Sequence, residues 1–111
     1  RMKVRVVDDS ELALEAWKLY HGAHNVTTCG SPEEALQLLN EGLRPDLCVV
    51  DYYFDNSPKN GENLAIEIKN LLPDVRVVIS SNIEISSTKF QSIAKSDYEV
   101  RGHPWLTSFG S

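Results

Sequence analysis

Short apolar or β-branched runs recur along the chain: Lys3 to Val7, Asn25 to Cys29, Leu47 to Val50 and Val75 to Ile79. Each is four or five residues long and shows no helical spacing, so each predicts a strand, the first buried on both faces. Between them the spacing changes to three and four. Ser10 caps a helix over Glu11 to His21 with Leu12, Ala13, Ala16, Trp17 and Tyr20 on one stripe, closed by Gly22. Ser31-Pro32-Glu33-Glu34 has the form of a capping box with proline at the first helical position. The helix it opens carries Ala35, Leu36, Leu38 and Leu39 and stops before Gly42. A polar loop, Asp55 to Asn60, leads to Gly61 and a third helix through Leu72, with Leu64, Ala65, Ile68 and Leu71 inward. Pro73-Asp74 breaks it. A weaker helix is expected over Ile83 to Ala94 and a fifth strand over Tyr98 to Val100.

Strands alternating with helices at about 25 residues per unit predict an α/β fold with a parallel sheet covered on both faces. Right-handed crossovers then restrict the topology. The length, 111 residues, suits one domain, expected over residues 2–111 with Met2 as the native start.

In such sheets the functional groove lies beyond the carboxyl ends of the strands. Asp8 and Asp9 follow the first strand, Asp51 ends the third, and Ser80 ends the fourth. Three carboxylates therefore converge at one sheet edge. One such acid alone reads as a turn or cap residue. Three together repel one another by several kcal/mol in a partly desolvated site. A hard divalent cation offsets that repulsion better than protons do, and oxygen ligands with open positions suit Mg²⁺. The pocket then reads as a phosphoryl-transfer site.

Composition narrows the partners. Sixteen acids against eleven Lys and Arg give a net charge of −5, which repels phosphate backbones and anionic lipid. Nucleic acid and membrane are not expected as partners. No apolar stretch approaches the roughly 20 residues of a membrane span, and no leader pattern is present, so a cytoplasmic location is expected. Cys29 and Cys48 match no zinc spacing and read as reduced, partly buried thiols. His21 and His24 at a helix end read as surface residues rather than a metal pair. Phosphate-cradling glycine motifs and a nucleophile elbow are absent.

VRVVDDS, the strand-end aspartate in LCVVDYY, Gly61 opening the third helix, VVISS and the residue–proline pair in GHPW occur in this order. In these pieces, over about residues 3 to 106, the chain resembles the receiver domain of two-component response regulators, the CheY-like domains. The resemblance implies a flavodoxin-like doubly wound sheet of five parallel strands in the order 2-1-3-4-5. It implies phosphoryl transfer from a histidine kinase or phosphotransfer protein onto Asp51, with Mg²⁺ held by Asp9, by Asp8 through water, by Asp51, and by the carbonyl of Tyr53. Ser80 stands at the family's hydroxyl position facing the phosphoryl group. The family's lysine before a proline, which pairs with the acceptor, falls by count on His103 before Pro104; Lys95 falls too early in the chain.

The chain departs from the family pattern in other places. Its loop from Asp51 to Gly61 is about two residues longer, and the large Tyr53 leans over the acceptor, with Asn82 near the same path. Only seven residues follow Pro104, so the last helix is expected to be missing or truncated. The shortened face, with Trp105, Leu106 and Phe109, is then a candidate homodimer contact. The leading expectation is a phosphoacceptor signalling domain and not an enzyme, beyond self-catalysed phosphoryl transfer and slow autodephosphorylation. The alternative is a degenerate receiver that binds partners without phosphorylation. A third reading, a phosphatase with an aspartate nucleophile, lacks the usual second acid of D-x-D.

Overall fold

The computed structural model of the chain describes residues 3–20, 25–82 and 89–95. Five strands form one parallel sheet in the order β2-β1-β3-β4-β5. They are β1 (Lys3–Val7), β2 (Asn25–Cys29), β3 (Leu47–Asp51), β4 (Arg76–Ser81) and β5 (Gln91–Ala94). Three helices, α1 (Glu11–Tyr20), α2 (Pro32–Asn40) and α3 (Gly61–Leu71), connect the first four strands. The expected fold class and strand order hold. None of these helices is long and apolar enough to cross a membrane.

The two faces of the sheet follow from the period of two along each strand. Val4, Val6, Leu47, Val49 and Val78 bury against Trp17 of α1, with Leu14, Val26 and Ile93 packed beside them. Val7, Cys29, Cys48, Val50, Val77 and Ile79 face the other way, onto Ala35 and Leu39 of α2 and Leu64, Ala65 and Ile68 of α3. The central strands therefore read as unbroken apolar runs because both faces are covered.

Local signals set the helix ends. Ser31 Oγ accepts from the Glu34 N–H at 3.1 Å. Glu34 Oε1 accepts from the Gly30 N–H at 3.0 Å, one residue before the cap, so the expected capping box closes one residue early. Asn60 and Asn63 form a reciprocal capping box at the start of α3, which the Gly61 reading did not include. Gly61 itself has no alternative. A Cβ there would meet the Asp51 carbonyl oxygen and the backbone of Tyr52, and the Gly61 N–H donates to the Tyr52 carbonyl at 2.7 Å.

Several expectations change. Leu12 is 73% exposed and Leu71 42% exposed, so neither belongs to an inward stripe. In α1 the inward residues include Ala13, Leu14 and Trp17, while the side chain of Tyr20 lies outside the described set, and in α3 the row ends at Ile68. The largest correction concerns β5. It occupies Gln91–Ala94, inside the stretch expected to be helical, and precedes the strand expected at Tyr98 to Val100, which lies outside the described residues. Only nine residues, 82–90, join β4 to β5. That is shorter than the ten to twelve or more that a parallel crossover with its helix takes. Phe90 packs on the α2–α3 face and Ile93 on the α1 face, the alternation of a strand. The residues after Lys95, including the shortened C-terminal face proposed for dimers, lie outside the described residues.

Candidate functional site

Strand register and parity together build the site. Val7 is paired with Val50, and Asp51 with Ser80, so Asp8, Asp51 and Ser80 end adjacent strands in one row. By the period of two, Asp8 continues Val4 and Val6, Asp51 continues Leu47 and Val49, and Ser80 continues Val78. All three therefore point to the α1 face. Lys95 stands two positions past Ile93, which is paired with Ser80 on the same face. The sheet delivers two acids, a hydroxyl and an ammonium to the same place.

Asp8, Asp9 and Asp51 each offer a carboxylate oxygen, and these atoms lie within 4.8 Å of one another. Lys95 Nζ stands 2.8 Å from Asp8 Oδ2 and 3.1 Å from Asp51 Oδ1. Asp8, Asp51, Ser80 and Lys95 are all buried. The four charged groups carry three negative charges against one positive, a net of −2. The opening of the site is a cleft of about 260 Å³ lined by Asp9, Ser10, Asp51, Tyr53, Asp55, Ser81, Asn82 and Lys95. A larger cleft of about 390 Å³, between Arg44 and Val75, lies at the opposite end of the sheet, away from these groups.

The electrostatics are those of an incompletely neutralised cluster. The Asp51 carboxyl is raised to about 6. Burial is the main cause, the negative charges of Asp8 and Asp9 add to it, and Lys95 opposes it. Burial alone would lower the Lys95 ammonium, but its contacts with Asp8 and Asp51 outweigh burial and raise it. Asp8 Oδ1 accepts from the Ser10 N–H at 2.9 Å, fixing the turn into α1. Its Oδ2 is buried and has no aligned hydrogen-bond donor, although Lys95 is close. A buried carboxylate oxygen in that condition is a fitting ligand for a hard cation. Asp9 is half-buried at the rim, where its Oδ2 accepts from the Asp55 N–H at 2.7 Å.

The expected residues thus assemble in most cases. Asp8, Asp9 and Asp51 meet as a cluster, and Ser80 lies beside Asp51 with its hydroxyl donating weakly to the Val50 carbonyl at 3.5 Å. Tyr53 lines the cleft, with its side chain 58% exposed and its ring edge-on to Tyr52 at 4.6 Å. His103 lies outside the described residues. Lys95, excluded above for falling too early, is the cation that bridges the two acids. Counting from Ser80 assumed a full crossover helix between β4 and β5. Because the connection has nine residues, the lysine comes correspondingly earlier in the chain.

No family model matches the chain, and no curated protein matches it. Solved structures do. The N-terminal domain of a response regulator/sensory box/GGDEF three-domain protein from Carboxydothermus hydrogenoformans aligns with a TM-score of 0.79 at 18% identity, covering 96% of this chain and 89% of that one. The N-terminal domain of a response regulator receiver protein from Methanoculleus marisnigri JR1 aligns at 0.70 and 24% identity, covering 84% and 83%. The response regulator protein TrrA from Thermotoga maritima, solved in complex with Mg²⁺ and a beryllium fluoride, aligns at 0.63 and 23% identity, covering 76% and 72%. These likenesses show the fold: the chain has the fold of response regulator receiver domains.

Proposed function

We propose that a receiver fold with this acidic cluster serves as a phosphoacceptor signalling domain, in which Asp51 takes a phosphoryl group from a histidine kinase or a phosphotransfer protein. One observation carries the reading: among the described residues, three carboxylates gathered around one buried lysine leave a net charge of −2 at the mouth of a cleft. A pocket with no chemical demand on it gains nothing from such repulsion.

Asp8, Asp9 and Asp51 would hold Mg²⁺, with the Tyr53 carbonyl as a further ligand. When bound, the cation supplies neutralisation of the phosphoryl charge and alignment of its oxygens. The chain's own residues do the rest. An Asp51 carboxylate oxygen attacks the phosphorus of a phosphohistidine donor. The P–N bond breaks, its electron pair stays on the imidazole nitrogen, and that nitrogen takes up a proton from solvent. Asp51 must be ionised to attack, and with its carboxyl at about 6 it is mostly so at pH 7. Lys95 faces both acids and keeps one positive charge beside the acyl phosphate. Ser80 has only a long hydrogen bond to give up before turning to a phosphoryl oxygen. Tyr53 and Asn82 stand at the cleft mouth, on the path of a hydrolytic water. The domain is then a substrate of its kinase, with at most self-catalysed transfer and slow loss of phosphate.

The degenerate-receiver alternative draws on His103 at the family's lysine position, on the long loop and on the expected absence of the last helix. Lys95 in contact with Asp8 and Asp51 removes the first of these grounds. Incubation with a small acyl phosphate and Mg²⁺, followed by intact-mass measurement, tests the choice. The parent should gain one phosphate, and Asp51→Asn or removal of magnesium should abolish the gain. No adduct in the parent with Mg²⁺ present would favour the interaction module, and catalytic phosphate release would favour a phosphatase.

A further inference from the structure

We propose that the β3–α3 loop, residues 52–60, is a strap that positions Asp9 as a cation ligand through the backbone N–H of Asp55, with Asn56 and Ser57 as the positioning residues that hold the strap. The inference rests on the reading of the acidic cluster as a Mg²⁺ site. Asp9 is the least buried member of that cluster: Asp8 and Asp51 are buried, whereas Asp9 sits half-buried at the rim. A rim carboxylate is free to rotate unless something holds it, and each rotamer fixed only on binding weakens the binding.

The Asp55 N–H holds it. This donor reaches Asp9 Oδ2 at 2.7 Å across 46 residues of chain, a short charge-assisted hydrogen bond that occupies one carboxylate oxygen and aims the other. The loop in turn is fastened on both sides of Asp55. Phe54, immediately before it, is buried in the core under α2 and α3. Asn56 Nδ2 donates to the Gly30 carbonyl at 2.9 Å, and Ser57 Oγ donates to Glu33 Oε2 at 2.9 Å. Ser57 Oγ also accepts from the Lys59 N–H at 3.2 Å, tightening the turn. Gly30 and Glu33 belong to the capped entrance of α2, where Ser31 and Glu34 already fix the backbone. The extra length of this loop therefore spans from the cation cluster to the start of α2. Such outer contacts to a ligating carboxylate set metal affinity by about 10- to 100-fold. By reciprocity, a cation on Asp9 also tightens the strap.

Isothermal titration of Mg²⁺ into the intact chain tests this, comparing Asp55→Pro with Asp55→Ala. Both lose the side-chain charge, but only proline loses the N–H. The expected result is Mg²⁺ binding about tenfold weaker for Asp55→Pro than for Asp55→Ala. The double variant Asn56→Ala/Ser57→Ala keeps every cluster residue and the N–H, and should bind more weakly than the parent by about threefold or more. Ser57→Thr, which keeps the hydroxyl, should bind like the parent. In the parent, hydrogen exchange at the Asp55 amide should slow when Mg²⁺ is added. Equal or tighter binding by Asp55→Pro relative to Asp55→Ala overturns the proposal. Should the proline variant fail to fold, parent-like affinity in the double variant overturns it instead. A parent that takes up no Mg²⁺ at all defeats the site reading itself, a separate and distinguishable result.

Discussion

Replacing Lys95 by methionine tests the electrostatic account most directly. The ammonium is 2.8 Å from Asp8 Oδ2 and 3.1 Å from Asp51 Oδ1, and all three side chains are at least nine-tenths buried. Removing one partner of a buried ion pair typically costs about 3–5 kcal/mol, because the remaining charge is left uncompensated. Here two like charges remain, so the variant will relieve itself by keeping a proton on one carboxyl at pH 7. In the parent, Asp51 titrates at about 6, being mostly ionised at pH 7 and mostly protonated at pH 5. This is a folded-state value raised above that of the unfolded chain. The parent therefore gains stability as pH falls from 7 through 6, and loses it as pH rises through the same range. The variant, already protonated when folded but not when unfolded, gains about 1.4 kcal/mol per pH unit throughout this range, about 2.7 kcal/mol from pH 7 to pH 5, whereas the parent, protonated only in part until pH falls below about 6, gains about 1.4 kcal/mol. At about 1.4 kcal/mol per unit, the gap between them should narrow by roughly that amount on going from pH 7 to pH 5. The expected destabilisation is about 3–4 kcal/mol at pH 7, falling to about 2 kcal/mol at pH 5. Urea unfolding at both pH values without divalent cations measures it. A loss below about 1 kcal/mol at pH 7, or a gap that stays constant or widens at pH 5, would refute the reasoning.

Other outcomes follow from the same geometry. Asp51→Asn, which removes one of the repelling charges, should stabilise the cation-free protein at pH 7 by about 1–3 kcal/mol, with the gain disappearing below pH 4 in chemical unfolding. Gly61→Ala should cost about 2–3 kcal/mol and displace the end of β3, since the new methyl meets backbone atoms that cannot turn aside; thermal melts and the Mg²⁺ affinity would both register it. Burial raises the Cys29 thiol, partly opposed by Arg5, and pushes Cys48 up to about 12, so an aromatic disulfide reagent at pH 8 should label neither until the protein is unfolded. Tyr53→Ala should speed loss of phosphate from Asp51 several-fold in a radiolabel decay assay, by opening the acceptor to water.

The sequence by itself determined the first four strands and most of the site. Apolar runs ending in Asp8, Asp51 and Ser80 are local signals, because burial on both faces requires unbroken apolar residues and the functional groove lies where such runs stop. The caps at Ser31 and Asn60 are equally local, since each satisfies orphan N–H groups within its own first turn. What only the tertiary structure decided was which cation faces the acids. Lys95 follows β5, whose Ile93 is paired with Ser80 across a connection whose length no local pattern announces. A whole crossover helix between β4 and β5 would place the lysine position near His103. Pairing of β4 with β5 is a long-range choice made by core packing, with Phe90 on one face and Ile93 on the other. The bond from Asp55 to Asp9 is of the same kind. Its two ends are 46 residues apart, and only the folded sheet brings the loop over the rim where that carboxylate stands.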